Sequence, residues 1–400
     1  MFDETSALEQ RSATPRLRFV AAIAFVAIGA AFFAVGFRTS LALVYRTVFG
    51  ASNVVESMQL LPWWLRLLVP ALGGVFAGLV VWLHGRPSQG VSNVMEAVAL
   101  GNVHLSLRTT AVRVLASWGA IATGLSIGRE GPLIEFGGSL GAVAGRLLGS
   151  GLTPTRILVA AGTAAGFASA YNTPFAAVLF VVETIVGIAA IEALLPTMTA
   201  VLLSATLTRA IAGGGPIYGA RSFVLESPFD LVSFVVLGVV AAIAALGFKE
   251  VLGRLEDQQL PLRIVAMLLV TKVFATSFSV ASGIPGGVFT AMLLVGGAVG
   301  ALYGHAAVLL GMTSASAASS YALVGMAATT AASIHAPLTA AVLVFELSGD
   351  YPIVLPLMLV TVVATGISRA VGSESIYEAE LRRKGVRWEV TLEGRRIQRG

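Results

Sequence analysis

The sequence predicts an all-α polytopic membrane protein made of two inverted repeats of tilted, broken helices. Three observations predict this fold. The 400 residues are 56% hydrophobic and only 12% charged, with a mean hydropathy of +0.87. Glycine and proline interrupt many of the apolar runs, and similar motifs recur in the two halves of the chain.

The composition separates this chain from soluble proteins. An average soluble domain carries about a quarter charged residues, and half that fraction along the whole length indicates many membrane-spanning helices. Because cysteine is absent, disulfides, thiolate metal sites and a cysteine nucleophile are excluded. The four histidines lack the spacing of metal ligands, so we expect no metal and no soluble cofactor. The net charge of +5 does not indicate a nucleic-acid partner.

Charged residues near the two ends predict the orientation of the chain. Basic residues precede the first apolar run at Arg16 and Arg18, and others follow the last run from Arg382 onward. Under the positive-inside rule, we expect both termini in the cytoplasm and a multi-pass protein in the cell (inner) membrane.

Several apolar runs are too short to cross a membrane, which takes about 20 helical residues. Runs 17–49, 64–83 and 231–252 are long enough. Shorter or interrupted runs end at breaks rich in glycine and proline; they are 110–125, 133–148, 157–170, 175–190, 262–280, 288–310 and 321–332. Lipid cannot satisfy the unpaired backbone groups of a break, so breaks belong where protein buries them or where they line a cavity. Repeated breaks favour a transport site, and ordinary kinks or loops are the alternative.

The two halves contain matching motifs. Residues 174–183 read PFAAVLFVVE and residues 337–346 read PLTAAVLVFE, with the same spacing from proline to glutamate. Gly128 and Gly141 likewise match Gly287 and Gly300, because the two glycines of each pair are separated by the same number of residues. We therefore expect two structural repeats that meet near the middle of the bilayer, inverted if each crosses an odd number of times. Chance similarity between Ala/Val/Leu-rich helices is the alternative.

The breaks themselves predict an anion site. In SIGREGPL (126–133), a helix that starts near Glu130 aims its free N–H groups and its positive dipole end into the break. Such helix ends bind anions without a formal counter-charge. The segment SGIPGGVF (282–289) opens the matching helix of the second half, and SQGVSN (88–93) opens a short helix from Val91. Converging helix starts suit a small anion that must enter and also leave.

Glu130 is the candidate gate. A carboxylate at membrane depth costs about 2.5–3.5 kcal/mol on insertion scales, so its presence indicates a functional role. When ionised, the Glu130 side chain would occupy the position of the anion, and when protonated it would leave that position. Capping of its own helix is the alternative. For Arg129, a direct role in anion binding and a structural charge neutralised by a carboxylate such as Glu135 both stay open.

These motifs resemble those of the CLC family of chloride channels and chloride/proton antiporters, in its prokaryotic form without C-terminal regulatory domains. The resemblance covers roughly residues 19–384. GREGP is similar to the family's outer-gate motif, which implies that Glu130 is the external gate. GGVF is similar to the motif of the external anion site, and SIYEAEL to the segment with the central-site tyrosine. The resemblance thus implies bound chloride and an anion site made of Gln89, Gly90, Gly128, Arg129, Gly131, Val288, Phe289 and Tyr377, and a homodimer joined by paired late helices.

Three departures from the family pattern bear on function. The family's GSGIP segment is here SQGVS, so Gln89 replaces the central serine beside Gly90, with Ser88 or Ser92 as substitutes. Thr184 occupies the position of the internal proton-transfer glutamate and cannot titrate. Glu183 is about 100° away around a helix and is expected to be structural or interfacial.

The third departure is a short second half. The stretch from Phe19 to Gly128 is nearly twice as long as the corresponding stretch from Phe229 to Gly287, so a pair of helices is missing. The missing helices are those that the family has between residues 252 and 262. A natural truncation, a rearranged pair and an edited sequence stay open.

The leading functional prediction is transport of a small monovalent anion, chloride first, with uncoupled conduction favoured because of Thr184. The alternatives are a chloride/proton antiporter and a homologue selective for fluoride or nitrate. An intramembrane enzyme would need a catalytic partner for Glu130, but the sequence contains no HExxH motif and no cysteine, so we expect no enzyme. A non-transporting scaffold is a third class of function.

The expected organisation of the chain is a cytoplasmic N-terminal segment (1–16), a first transmembrane repeat (17–212), an inter-repeat loop (213–228), a second transmembrane repeat (229–371), and a pore-lining helix with a cytoplasmic tail (372–400).

Overall fold

A computed structural model describes residues 3–84, 90–100, 105–186, 191–213, 229–256, 286–314, 318–383, 385–391 and 394–399. The predicted run 262–280, residues Ser88 and Gln89, and residues 282–285 of the segment 282–289 lie outside the described residues. Among the described residues that precede residue 384, the regular elements are helices, as expected for an all-α membrane protein. The helical fold class is confirmed.

The first half contains nine described α-helices. They are α1 (Asp3–Phe49), α2 (Val54–Leu60), α3 (Trp63–His84), α4 (Val91–Leu100), α5 (Leu107–Ala122), α6 (Glu130–Leu147), α7 (Leu152–Tyr171), α8 (Pro174–Phe180) and α9 (Ile191–Ala212). A π-helical turn (Val181–Val186) continues α8 directly.

The second half contains fewer described helices. They are α10 (Phe229–Glu256), α11 (Phe289–Leu309), α12 (Ala318–Ile334), α13 (Pro337–Ser348), a 3₁₀ turn (Tyr351–Ile353), α14 (Val354–Ala370) and α15 (Ile376–Arg383). The tail forms an antiparallel hairpin of β1 (Val386–Thr391) and β2 (Gly394–Arg399), in which Val386 pairs with Arg399. The sequence did not predict this hairpin, which lies beyond the membrane helices.

The predicted breaks separate the helices. The helix of the GREGP segment begins at Glu130, and Pro132 fits because the first helical turn has no backbone bond to lose. The helix of the second half begins at Phe289, and the short helix after residue 90 begins at Val91. A helix that begins at a glycine-containing break therefore recurs in both halves of the chain.

The two repeats share one packing arrangement. Helix α6 packs along α7, and α11 packs along α12 in the same way. At the first crossing, a Cβ on Gly137 would overlap the backbone of Gly162; at the second, a Cβ on Gly296 would overlap the backbone of Gly325. Glycine at these crossings lets two backbones approach closely, as small residues do in membrane proteins. The predicted internal repeat is therefore visible in the packing.

The outer helices also correspond. Helix α1 packs against α6, α7 and α9, and α10 packs against α11, α12 and α14. Helices α2 to α5 lie between α1 and α6 in the chain, whereas residues 257–285, which separate α10 from α11, lie outside the described residues. The shorter second repeat is therefore a feature of the sequence, in which the stretch from Phe229 to Gly287 is shorter than the stretch from Phe19 to Gly128. The predicted domain boundaries stay predictions, and α1 runs through residue 16 without a break.

Burial distinguishes α6 and α7 from the helices that are long and apolar enough to cross a membrane. Five segments are long and apolar enough to cross a membrane: Arg16–Leu60, Trp63–His84, Glu192–Ala212, Phe289–Leu309 and Tyr351–Ala370. In contrast, nearly all of α6 and α7 is buried by the surrounding helices. The start of α6 and the end of α7 are therefore surrounded by protein, which is where broken backbone is tolerated.

Candidate anion site and gate

The first and second repeats meet at a pair of glycines. Gly128 and Gly287 exchange two backbone hydrogen bonds, with N–O distances of 2.8 and 2.9 Å. These are the two residues that the internal repeat makes equivalent in the sequence. The bridge holds the GREGP break of one repeat against the GGVF break of the other. The predicted convergence of these two breaks is therefore present.

The side chain of Glu130 crosses from its own helix to the other repeat. Glu130 is 1% exposed, and its Oε1 accepts a hydrogen bond of 3.1 Å from the backbone N–H of Thr290. Its Oε2 accepts a second bond of 2.9 Å from the Thr290 hydroxyl. Thr290 is the second residue of α11. Glu130 thus caps a helix, but the helix is α11 and not α6, whose capping was the alternative drawn from the sequence.

The backbone around the carboxylate has no room for side chains. A Cβ on Gly131 would lie 2.8 Å from the Gly287 nitrogen and 3.0 Å from the Gly286 carbonyl carbon. A Cβ on Gly128 or Gly287 would overlap the Glu130 carboxylate itself. Glycine at these positions leaves the backbone N–H groups open to the carboxylate, and to any small anion that takes its place.

The third break reaches the same region. The Cβ position of Gly90 lies 4.0 Å from the Gly286 carbonyl oxygen. Gly90 directly precedes α4, so the start of α4 points toward the glycines at the start of α11. Gln89, the predicted central-site residue, lies outside the described residues.

Aromatic side chains form the wall between the gate and α15. Phe289, at 1% exposed, lies edge-on to Phe180, with ring centroids 6.2 Å apart. Phe180 lies edge-on to Tyr377 at 6.3 Å. Tyr377 is 4% exposed, and among the described residues its hydroxyl has no hydrogen-bond partner. The predicted tyrosine and the predicted external-site residue Phe289 are therefore both buried, and both lie edge-on to Phe180.

Two residues of this site were missed from the sequence. Thr290 supplies both hydrogen bonds to the gate carboxylate, and the Tyr171 hydroxyl lies 2.9 Å from the Thr290 hydroxyl. A hydroxyl residue just after GGVF, in the first turn of a helix, was the available signal for Thr290. No local pattern distinguishes Tyr171, because its partner is 119 residues away.

The charges beside the gate differ from one expectation. Arg129 directly precedes α6, and Val288, which is 7% exposed, directly precedes α11. Glu135, proposed as the partner of Arg129, instead forms an ion pair with Arg113 on α5. The hypothesis that Glu135 neutralises Arg129 is wrong, because α5 brings another arginine to that carboxylate. A direct role of Arg129 in anion binding stays a prediction.

The position expected for a proton-transfer glutamate holds a bonded hydroxyl. The Thr184 hydroxyl, on the π-helical turn, donates to the Phe180 carbonyl at 2.5 Å. Glu183 points elsewhere and accepts hydrogen bonds from the N–H groups of Leu338 (3.2 Å) and Thr339 (2.7 Å) at the start of α13. The structural role expected for Glu183 therefore agrees with the contacts.

The fold and the site together define a class of protein. Broken helices from two repeats converge inside the membrane on backbone N–H groups and one buried carboxylate, which is the arrangement of an anion transport protein. A family model described as voltage gated chloride channel matches residues 73–259 and 249–369. The chain belongs to this voltage-gated chloride channel (CLC) family.

Individual relatives agree with this membership. A protein of Ralstonia nicotianae described as ClcB-like is 33% identical over 402 residues, covering 87% of this chain and 93% of the relative. The voltage-gated ClC-type chloride channel ClcB of Escherichia coli is 31% identical over 407 residues, covering 88% of this chain and 96% of the relative. A slow cyanobacterial chloride/proton antiporter has a similar fold, with a TM-score of 0.78 at 22% identity, covering 92% of this chain and 98% of that one. A CLC-type fluoride/proton antiporter gives a TM-score of 0.70 at 19% identity, covering 92% and 97%.

The same comparisons bear on the short second repeat. The alignment with the Ralstonia protein is 402 positions long but covers only 87% of the 400 residues of this chain, so many of its positions have no residue here. The family match is also divided into two parts that meet at residues 249–259. Both observations agree with the predicted loss of a pair of helices from the second repeat.

Proposed function

We propose that this protein carries a small monovalent anion across the cell membrane, with chloride as the leading candidate and Glu130 as the gate. The position of the Glu130 carboxylate supports the proposal most. It accepts hydrogen bonds from the N–H and the hydroxyl of Thr290 at the first turn of α11. A helix start that binds a carboxylate suits a halide as well, because N–H dipoles and the positive helix end stabilise both.

The proposed gate works by competition for one place. Ionised Glu130 occupies the start of α11 and excludes the anion. When it is protonated, its negative charge is lost, its hydrogen bonds weaken, and the anion takes the place. The residues proposed around the external site are Gly128, Arg129, Gly131, Val288 and Phe289, and those proposed for the inner site are Gln89, Gly90 and Tyr377.

Uncoupled conduction is the form of transport that we propose. Thr184 cannot carry a proton as a carboxylate would, and its hydroxyl is already bonded to the Phe180 carbonyl. The E. coli relative is also described as a voltage-gated chloride channel. A chloride/proton antiporter is the alternative. The reversal potential in liposomes tracks only the chloride gradient if conduction is uncoupled, and it shifts with the proton gradient if exchange occurs.

The transported anion depends on the inner site. An amide at Gln89 is larger than a serine hydroxyl and adds an acceptor, so fluoride and nitrate are alternatives to chloride. A series of permeability measurements with chloride, fluoride and nitrate decides among them.

We further propose a homodimer in the inner membrane with both termini cytoplasmic. Exposed apolar side chains such as Phe175 and Leu338 lie in the first turns of α8 and α13, the paired late helices of the matching motifs, where a second copy or lipid would cover them.

Chloride efflux from proteoliposomes tests the proposal. The variant Glu130→Gln keeps the size of the gate but removes its charge, so we expect faster efflux at neutral pH and a weaker dependence on pH. The matched control is Glu56→Gln, which removes the charge of a partly exposed glutamate whose carboxylate accepts hydrogen bonds from the N–H and the hydroxyl of nearby Ser52. Efflux and pH dependence equal to the wild type in Glu130→Gln would contradict the gate.

A further inference from the structure

We propose that Glu380 is a second carboxylate that competes with the transported anion, at the start of α4. The inference rests on the proposed function, because it assigns an inner gate to the same anion path. No motif in the sequence singled out this glutamate, which lies on α15 three residues after Tyr377.

The contact that carries the inference is a hydrogen bond between α4 and α15. The Ser92 side chain is fully buried, and its hydroxyl donates to Glu380 Oε1 at 2.5 Å. Ser92 is the second residue of α4, a helix that begins just after the break at Gly90. A carboxylate therefore sits in the first turn of a helix that starts inside the protein, where an anion would be stabilised.

The outer gate has the same arrangement. Thr290 is the second residue of α11, and its hydroxyl donates to Glu130 Oε2 at 2.9 Å. In both places a hydroxyl residue follows a glycine-containing break, occupies the second helical position and binds a carboxylate from another helix. The shared geometry is the reason to assign Glu380 the same kind of role as Glu130.

Tyr377 lies near Glu380 on α15, three residues before it in the chain. Its ring lies edge-on to Phe180 with ring centroids 6.3 Å apart, and Phe180 lies edge-on to Phe289 at the start of α11. The side chain is 4% exposed, and its hydroxyl has no hydrogen-bond partner in the part of the chain that the structure describes. The hydroxyl of this buried side chain is a hydrogen-bond donor that a small anion can accept.

The other charged groups near α15 have different partners or lie on other elements. The Oε2 atom of Glu378 lies 3.9 Å from Nδ1 of His335, and the Nε atom of Arg382 lies 3.1 Å from Oε2 of Glu374. The titratable and charged residues on α15 and on the elements packed against it are Tyr377, Glu378, Arg382 and Arg383 on α15, Glu96 on α4, His335 after α12, and Arg387 and Glu389 in β1. Glu380 is bonded directly to Ser92 at the start of α4.

The expected effect is a second pH dependence of transport. Ionised Glu380 holds the start of α4 and keeps the anion out. Protonated Glu380 has lost the charge that competes with the anion, so transport rises as acidification protonates this carboxylate. Because Glu130 would act in the same direction, the two contributions must be separated by removing one of them.

The test uses chloride efflux from proteoliposomes at about pH 7 and at about pH 4.5. The variants are Glu130→Gln, the double variant Glu130→Gln/Glu380→Gln, and Ser92→Ala in the Glu130→Gln background. Glu374→Gln in that background is the matched control, because it removes a surface carboxylate from the same segment. Glu380→Asp, which keeps the charge, and gel filtration of every variant show whether the protein is folded.

We expect Glu130→Gln to retain a rise in efflux at low pH. The double variant should lose that rise and conduct at pH 7 about tenfold faster, the order set by one hydrogen bond to a charged group. Ser92→Ala should change in the same direction by less. A pH response that survives Glu380→Gln, or one that is already absent in Glu130→Gln, would overturn the role of Glu380 alone. Absence of efflux from every folded variant would instead contradict the proposed function.

Discussion

Glu183 and Glu346 cap each other's helices across the two repeats. The Glu183 carboxylate, at the π-helical end of α8, accepts hydrogen bonds of 3.2 and 2.7 Å from the first turn of α13. The Glu346 carboxylate, near the end of α13, accepts bonds of 3.1 and 2.8 Å from the first turn of α8. The two glutamates end the matching motifs PFAAVLFVVE and PLTAAVLVFE, and the capped helices begin at the prolines of the same motifs. The two helices therefore run side by side in opposite directions, and the glutamate of each one caps the start of the other.

Removal of either cap should destabilise the protein. Glu183→Ala or Glu346→Ala leaves N–H groups of a helix start without an acceptor, and we expect a loss of about 1–3 kcal/mol in the free energy of unfolding for each. Denaturant unfolding in detergent measures it, with Glu374→Ala as the surface control. In a double-mutant cycle we expect non-additive losses, because the two caps fix the same pair of helices. Unchanged unfolding midpoints in both single variants would show that the caps contribute nothing.

A side chain at Gly131 should close the anion path. Its Cβ would lie 2.8 Å from the Gly287 nitrogen and 3.0 Å from the Gly286 carbonyl carbon, and neither backbone atom can move without disturbing the Gly128–Gly287 bridge. We expect Gly131→Ala to reduce chloride efflux by about tenfold or more, the result of a barrier of about 1.4 kcal/mol. The matched control is Gly366→Ala on α14, where no atom lies within 4 Å. Equal efflux in the two variants would contradict the proposed path.

The Thr290 hydroxyl should set how tightly the gate is held. Thr290→Val keeps the size of the side chain and the backbone N–H but removes the hydroxyl donor to Glu130. A hydrogen bond to a charged group contributes about 1.5–3 kcal/mol, so we expect chloride efflux at neutral pH to rise by about tenfold. Tyr171→Phe is the comparison, because the Tyr171 hydroxyl contacts the Thr290 hydroxyl, and its effect should be smaller. A larger effect of Tyr171→Phe would reassign the control of the gate to that tyrosine.

The ion pair of Arg113 and Glu135 should be a structural contact. The two side chains are only 12% and 4% exposed, so removing one partner leaves a buried charge without its partner. We expect Arg113→Met to lower the free energy of unfolding by about 3–5 kcal/mol. The double variant Arg113→Met/Glu135→Leu should be closer to the wild type, because neither charge remains. Equal destabilisation of the single and double variants would show that packing, and not the charge pair, is responsible.

Sequence reasoning was strongest where local chemistry decides the structure. Glycine and proline end helices wherever they occur, so the helix starts near Glu130, at Val91 and just after Val288 could be predicted. The helix at Glu130 starts ahead of the predicted apolar run, because Pro132 is tolerated in a first turn. The internal repeat likewise identified Gly128 and Gly287 as equivalent before their contact was known.

Sequence reasoning was weakest where side chains cross between distant segments. The contact of Glu130 with Thr290 spans 160 residues, and that of Ser92 with Glu380 spans 288 residues. Helical periodicity gives the face of a side chain but not its partner in another repeat. The same limit produced the wrong partner for Glu135, since α5 approaches it from outside its own helix. The hairpin of the tail was missed because its strands are short and rich in charged residues.

The most direct measurement is crystallography of Glu130→Gln with bromide, located by its anomalous scattering. The central claim is that the carboxylate and the anion compete for the start of α11. We predict a bromide peak at the position that the Glu130 carboxylate occupies in the wild type, within hydrogen-bond distance of the Thr290 N–H, and a weaker peak there when Glu130 is present. A well-ordered variant with no bromide at the start of α11, or with equal occupancy in the two proteins, would contradict the claim.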